Sequence, residues 1–250
     1  MSLTIELLLD FVMVLTRISA FFLIVPVFGW KSIPLRIKVA MTILLSLFFS
    51  TIIPSSVNTS QISFLEAVLL LCNEAIYGFA LGLIIALLFT AVKVGTRIVE
   101  RQIGFAMAEI LDPLTGETTQ PLGSLMEMVF ILIFLSVNGH HFFLTLISKS
   151  YESFPGGAIP TIPVLLSGIT EAGSTMLFAG LKLAAPVLAA FLILMIILGV
   201  LARIVPEMNI LFISLPLRVA MGLLMMMIFL PFFASYINEL AEFMNKLLPV

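Results

Sequence analysis

Gly104-Phe105-Ala106-Met107-Ala108-Glu109-Ile110-Leu111-Asp112-Pro113-Leu114-Thr115-Gly116-Glu117-Thr118-Thr119-Gln120-Pro121-Leu122-Gly123 is the longest polar interruption in a sequence that otherwise reads as lipid-compatible helix. Five of these twenty residues are Gly or Pro, so neither a continuous helix nor a ladder-paired strand is comfortable, and the stretch predicts an irregular loop. It is not an ordinary solvated linker, because Phe105, Met107, Ile110, Leu111, Leu114 and Leu122 can pack against something. Glycine at both ends lets it move as a unit. On composition alone, a plain surface connection between two membrane helices is equally open.

On either side of this loop the chain is apolar. Over 250 residues it is 61% hydrophobic and 10% charged, with a mean hydropathy of +1.24, far outside the range of soluble domains and in that of membrane proteins. Six runs predict long apolar helices: Leu3 to Phe28, Val39 to Ile53, Leu65 to Val92, Leu122 to Ser148, Met176 to Ala202 and Ile210 to Ile237. The expected fold is therefore all-α and of the integral-membrane class, with the loop between segments three and four. The connections Trp30 to Lys38, Lys93 to Pro121 and Arg203 to Asn209 carry seven of the twelve Lys and Arg, which by the positive-inside rule places both termini outside. The opening Met-Ser-Leu-Thr-Ile-Glu lacks the basic start of a signal peptide, so the first segment is expected to be retained. The second half turns at Phe154-Pro155-Gly156-Gly157, and from about Leu165 it reads as a helical hairpin with its apex at Arg203 to Asn209. Pro186, Pro216 and Pro231 are expected to kink its helices.

Charges inside apolar runs are the next signal. Glu6, Asp10 and Arg17 are spaced by four and seven residues and share one stripe of the first helix. Lys182 and Arg218 lie within apolar runs of the hairpin, and a lipid-facing surface does not carry such groups without a partner. We read all five as contacts with other protein. Arg203 and Glu207 at the apex join them as candidate contact residues, although Pro206 between the two speaks against a regular helical pair. Gly78, Gly82 and Ala86 repeat at four-residue spacing and suit close helix packing.

Catalytic chemistry is missing from the sequence. It contains no His-Glu-x-x-His, no Walker loop, no nucleotide fingerprint and no Gly-x-Ser-x-Gly, so neither an enzyme nor a cofactor is expected. His140 and His141 are adjacent, point to different sides of a helix and have no third ligand at a useful spacing, which argues against a metal. Cys72 is the only cysteine and reads as a small core residue. A net charge of -2 is too small to argue for nucleic acid or anionic lipid as a partner. An ion-coupled membrane transporter is the alternative reading, with Arg17, Glu74, Glu127, Lys182 and Arg218 as relay groups. Carriers built on inverted repeats have matching halves, and a four-helix unit beside a two-helix unit does not match.

Four stretches together resemble the FliR/SctT family of export-gate subunits of the bacterial flagellum and related type III secretion systems. They are Gln102-Ile103-Gly104-Phe105 leading to Asp112-Pro113, Phe134-Leu135-Ser136-Val137-Asn138-Gly139-His140, Arg203-Ile204-Val205-Pro206-Glu207-Met208-Asn209, and Leu215-Pro216-Leu217. Their order and separation cover nearly the whole chain. The Asn-Gly-His-His and Asp-Pro-Leu-Thr-Gly forms look more like the flagellar branch. Near position 97 family members often carry an acid where this chain has Arg97, and Glu100 follows three residues on.

The resemblance implies a FliP-like four-helix unit over residues 1-160, containing the loop 104-123, and a FliQ-like helical hairpin over 161-250. It implies one subunit in a hetero-oligomeric helical assembly with FliP-like and FliQ-like subunits, next to FlhB-like and FlhA-like components. The assembly belongs to the flagellar basal body in the bacterial inner membrane, and unfolded proteins are its substrates. The same resemblance makes Gly104 to Gly123 a channel plug, with Gly104, Phe105, Met107, Ile110, Leu111, Asp112, Pro113, Leu114, Gly116 and Gly123 as its candidate residues. In such an assembly the apolar helices need not cross lipid.

Overall fold

The structure is a computed structural model that describes residues 2-26, 33-53, 63-104, 121-156, 162-207 and 209-247. Over these residues the chain forms seven helices and no strand: α1 (Ser2–Ile24), α2 (Leu35–Ile52), α3 (Phe64–Ile103), α4 (Pro121–Ser136), α5 (Gly139–Ser153), α6 (Ile162–Ile204) and α7 (Ile210–Leu247). Helix satisfies every backbone group within its own segment, and that is what an apolar environment demands.

The local starts and stops follow from sequence. At the head of α3 the Ser63 amide donates to Glu66 Oε2 at 2.8 Å, one half of a capping box. The fourth apolar run, expected to be continuous from Leu122 to Ser148, is instead two helices. Asn138 between them adopts φ 60°, a left-handed conformation that Asn tolerates better than most residues. Helix α6 stops at Ile204, because Pro206 disfavours helical geometry at Val205. Glu207 therefore lies beyond the helix, and Arg203 and Glu207 form no helical pair. Helix α7 bends by 45° between Phe212–Ile228 and Leu230–Leu240, next to Pro231, which cannot supply the amide that the preceding turn needs.

Three helices among the described residues are long and apolar enough to cross a membrane, Leu35–Ile52, Phe64–Ile103 and Pro163–Ile204, or five if two bent pairs each count as one span. These five correspond to the second to sixth apolar runs, and the first run forms α1 (Ser2–Ile24). Helix α3 continues past Val92 through residues expected to be a connection, and its 40 residues make it about 60 Å long at a rise of about 1.5 Å per residue. That is about twice a hydrocarbon core of about 30 Å. One helix is thus longer than a simple transmembrane crossing requires.

The chain divides into two compact units, residues 1-89, 138-174 and 240-250, and residues 90-137 and 175-239. The first unit holds α1, α2 and α5 with the adjoining parts of α3 and α6 and the end of α7. Its core includes Ile18, Phe21, Tyr77, Ile85, Leu88, Phe143 and Ile147. Cys72, expected as a small core residue, is exposed. Helices α1 and α3 touch backbone to backbone: a Cβ on Gly78 would collide with the Arg17 carbonyl oxygen, and one on Gly82 would lie 2.9 Å from that of Phe21. The small-residue spacing therefore serves the packing expected of it.

The second unit packs α4 with the adjoining parts of α3, α6 and α7 around Val99, Ile103, Phe130, Phe134, Phe191 and Phe233. Phe130 meets Phe233 edge to face at 5.7 Å between ring centroids, a favoured aromatic geometry. Helices α3 and α6 cross at Gly95 and Gly180, where a Cβ on Gly95 would lie 3.0 Å from the Gly180 carbonyl oxygen.

Candidate functional site

Residues 105-120, which contain the candidate plug residues Phe105, Met107, Ile110, Leu111, Asp112, Pro113, Leu114 and Gly116, lie outside the described residues. Their two anchors are described, and both belong to the second unit. Gly104 closes α3 with φ +98°, a left-handed conformation that glycine adopts without a Cβ penalty. Its amide donates to the Glu100 carbonyl oxygen at 3.2 Å. At the far end Pro121 opens α4, where a missing amide costs nothing. Two residues on, the Gly123 amide donates to Glu100 Oε1 at 2.8 Å. Glu100 is 5% exposed and thus supplies α4 with an N-terminal carboxylate cap from another helix. A single residue holds both ends of the segment. Lys93 and Glu127 add a 2.9 Å ion pair between the same helices. Arg97 is exposed, so the acid that organises this turn is Glu100.

A second polar constellation sits in the first unit. Arg17 is 2% exposed and meets Glu74 through two parallel bonds, Nε to Oε2 at 2.6 Å and Nη2 to Oε1 at 3.1 Å. This fork geometry is available to a guanidinium and not to an ammonium. Nη1 and Nη2 both donate to the Phe154 carbonyl oxygen at 3.1 Å, and Nη1 lies 3.4 Å from the Ser150 carbonyl and hydroxyl oxygens. The cation lies 3.9 Å from the centroid of the Tyr151 ring and 5.1 Å from that of Tyr77. Both tyrosine hydroxyl groups are buried without a hydrogen-bond partner among the described residues, so the rings serve here as faces. The cluster joins α1, α3 and the end of α5.

This arrangement corrects one expectation. Arg17, read as a contact with another subunit, is enclosed by its own chain. Its partners lie 57 residues or more away in sequence, a distance over which helical spacing says nothing. Spacing alone did not identify Tyr77 and Tyr151 either. The available signal was rarity, since the chain has three tyrosines and two of them are here.

The remaining charged candidates are placed as follows. Lys182 and Glu239 pair at 2.7 Å with both side chains more than half exposed. Arg203 and Glu207 are exposed, and Asp10 is half-buried. Half-buried Arg218 has Nη2 at 3.3 Å from the Met195 sulfur, and its Nε is buried without a partner among the described residues. The Glu6 side chain lies outside the described residues.

Comparison with known proteins adds the family context. The model of a family described as bacterial export proteins, family 1, matches residues 8–244. The flagellar biosynthetic protein FliR of Bacillus subtilis is 30% identical over 91% of this chain and 88% of its own. That of Aquifex aeolicus is 31% identical over 86% and 83%, and that of Escherichia coli 28% over 93% and 89%.

Proposed function

We propose that this chain, which belongs to the FliR/SctT family of bacterial export proteins, is an integral subunit of the flagellar protein export gate in the bacterial inner membrane. The observation that carries this reading is the family match over residues 8–244, which leaves almost no part of the chain for a different purpose. In this reading one copy joins FliP-like and FliQ-like subunits in a helical assembly beside FlhB-like and FlhA-like components. Residues 1-160 supply the FliP-like part and 161-250 the FliQ-like hairpin. This division follows chain order, whereas the compact units interleave along the chain. The protein performs no chemistry of its own, and it passes unfolded polypeptides.

The segment from Gly104 to Gly123 acts in this reading as the plug. A unit charge crossing 100 mV releases about 2.3 kcal/mol, so a wet path at rest would dissipate the membrane potential. Apolar residues such as Phe105, Met107, Ile110, Leu111 and Leu114 suit a dry seal. Met107 is unbranched and adapts to differing side chains. What supports the assignment is the fixed base at Glu100, since a plug needs immobile anchors around a yielding middle. Lys182, Arg203, Glu207 and Arg218, with Glu6 and Asp10, remain the proposed contacts to neighbouring subunits.

The test is complementation with co-purification. Expressed in a flagellated bacterium lacking its own FliR, the chain should restore swimming and co-purify with the FliP-like and FliQ-like subunits. A stable monomer that enters no assembly and instead drives ion-coupled solute uptake in liposomes would establish the transporter reading.

A further inference from the structure

We propose that the buried side of Arg218 is the docking point for the acidic segment 105-120 of its own chain, with Glu109 as its counter-ion. Arg218 lies in the apolar run of α7, and its guanidinium carries five N–H donors. Among the described residues Nη2 meets the sulfur of Met195 at 3.3 Å, a weak acceptor, and Nε is buried with no partner. No carboxylate among the described residues pairs with it. A cation held in an apolar face is costly without an anion beside it.

Elimination and register select the occupant. Of the carboxylates in the second unit, Glu100 accepts the Gly123 amide, Glu127 pairs with Lys93 and Glu239 with Lys182, and Glu207 is exposed beyond α6. Those left are Glu109, Asp112 and Glu117, all in a segment that contains no Lys or Arg. The segment also starts close to Arg218. Gly222, one turn further along α7, packs on the last residue of α3, since a Cβ there would collide with the Ile103 side chain. Val92 and Phe233 line one cavity farther back along the same two helices. Helix α7 is therefore antiparallel to α3, and its part before Gly222 runs about 18 Å past the end of α3. Arg218 is about 6 Å along that stretch, and exposed Leu215 gives the apolar residues of the segment a surface beside it. The five residues from Gly104 to Glu109 span up to about 17 Å, and from the Ile103 contact Glu109 closes the shortest loop of the three acids. The exposed side of Arg218 stays available to the neighbouring subunit proposed above. The pairing uses the second unit alone and is independent of the export assignment.

The test uses the full-length chain in detergent, with thermolysin cleavage within 105-120 followed by mass spectrometry. Arg218→Gln and Glu109→Gln should each speed that cleavage about tenfold, as expected for loss of a charged hydrogen bond, and the double variant should be no faster than either. Exchanging the charges, Arg218→Glu with Glu109→Arg, should return the rate to that of wild type, which loss of folding could not do. In a Cys72→Ala background that keeps both charges, Ala108→Cys and Leu215→Cys should be joined within one chain by a short bismaleimide. Additive single effects, an exchange that rescues nothing, or no intrachain crosslink overturns the proposal. So does an equal acceleration by Glu207→Gln, since the apex carboxylate would then be the partner.

Discussion

Arg17 Nε and Glu74 Oε2 lie 2.6 Å apart with both side chains almost fully buried, so the Arg17 charge is neutralised within its own chain. Removing one member of a buried pair strands the other and costs about 3–5 kcal/mol. Arg17→Leu or Glu74→Gln alone should therefore sharply reduce thermal stability and yield. Combining Arg17→Met with Glu74→Leu should recover much of the loss, as calorimetry of the detergent-solubilised protein would show.

Tyr77 and Tyr151 separate ring from hydroxyl. Both hydroxyl groups are buried and have no partner among the described residues, and such a group costs about 1–3 kcal/mol of desolvation. Tyr151→Phe should keep or raise the melting temperature. Tyr151→Leu should lower stability by up to about 2 kcal/mol, because it removes the face 3.9 Å from the cation. A matching loss in Tyr151→Phe would mean that the hydroxyl group is in use.

Glu100→Ala should leave the α4 N-terminus uncapped, at a cost of about 1 kcal/mol. The specific readout is hydrogen exchange at Gly123. Its amide should exchange faster in the variant, while amides in the middle of α3 keep their wild-type rates.

Glycines at helix crossings and on open surface should respond in opposite ways. Gly78→Ala drives a methyl group into the Arg17 carbonyl and should separate α1 from α3, reducing folded yield. A Cβ on Gly199 would meet nothing beyond its own helix backbone within 4 Å among the described residues, and Gly199→Ala should be neutral or stabilise α6 by up to about 1 kcal/mol. Parallel denaturant titrations of the two variants provide the comparison.

Deletion of Ile110 to Gly116 tests the proposed plug. Assembly should survive because Glu100, Gly104 and Gly123 are untouched. Resting ion conductance should rise, with export retained or partly reduced. Conductance and assembly are to be measured on one preparation, and an unchanged resting conductance would return the segment to the role of a connecting loop.

The helices were legible because long apolar runs have few ways to satisfy their backbone. Their limits were less so. Helix α3 continues to Ile103 through Lys93, Arg97, Glu100 and Arg101, residues whose polarity suggested a connection. Tertiary ties such as Lys93 to Glu127 hold them in helix instead. The Gly78 and Gly82 face was readable from spacing, because it depends on residues in one turn pattern. The Arg17 cluster was not, since it is assembled from three distant helices and only the cost of its lone charge shows locally. Glu100 was visible as an acid near Arg97. Its function as a cap for α4 depends on a contact with Gly123, 23 residues on, that no local pattern encodes.

Tying Gly104 and Gly123 to one residue also frees the chain between them to vary in length. The entropy of closing a loop grows logarithmically, by about 0.6 kcal/mol for each doubling. Insertions and deletions between residues 105 and 120 therefore place little load on α3 or α4.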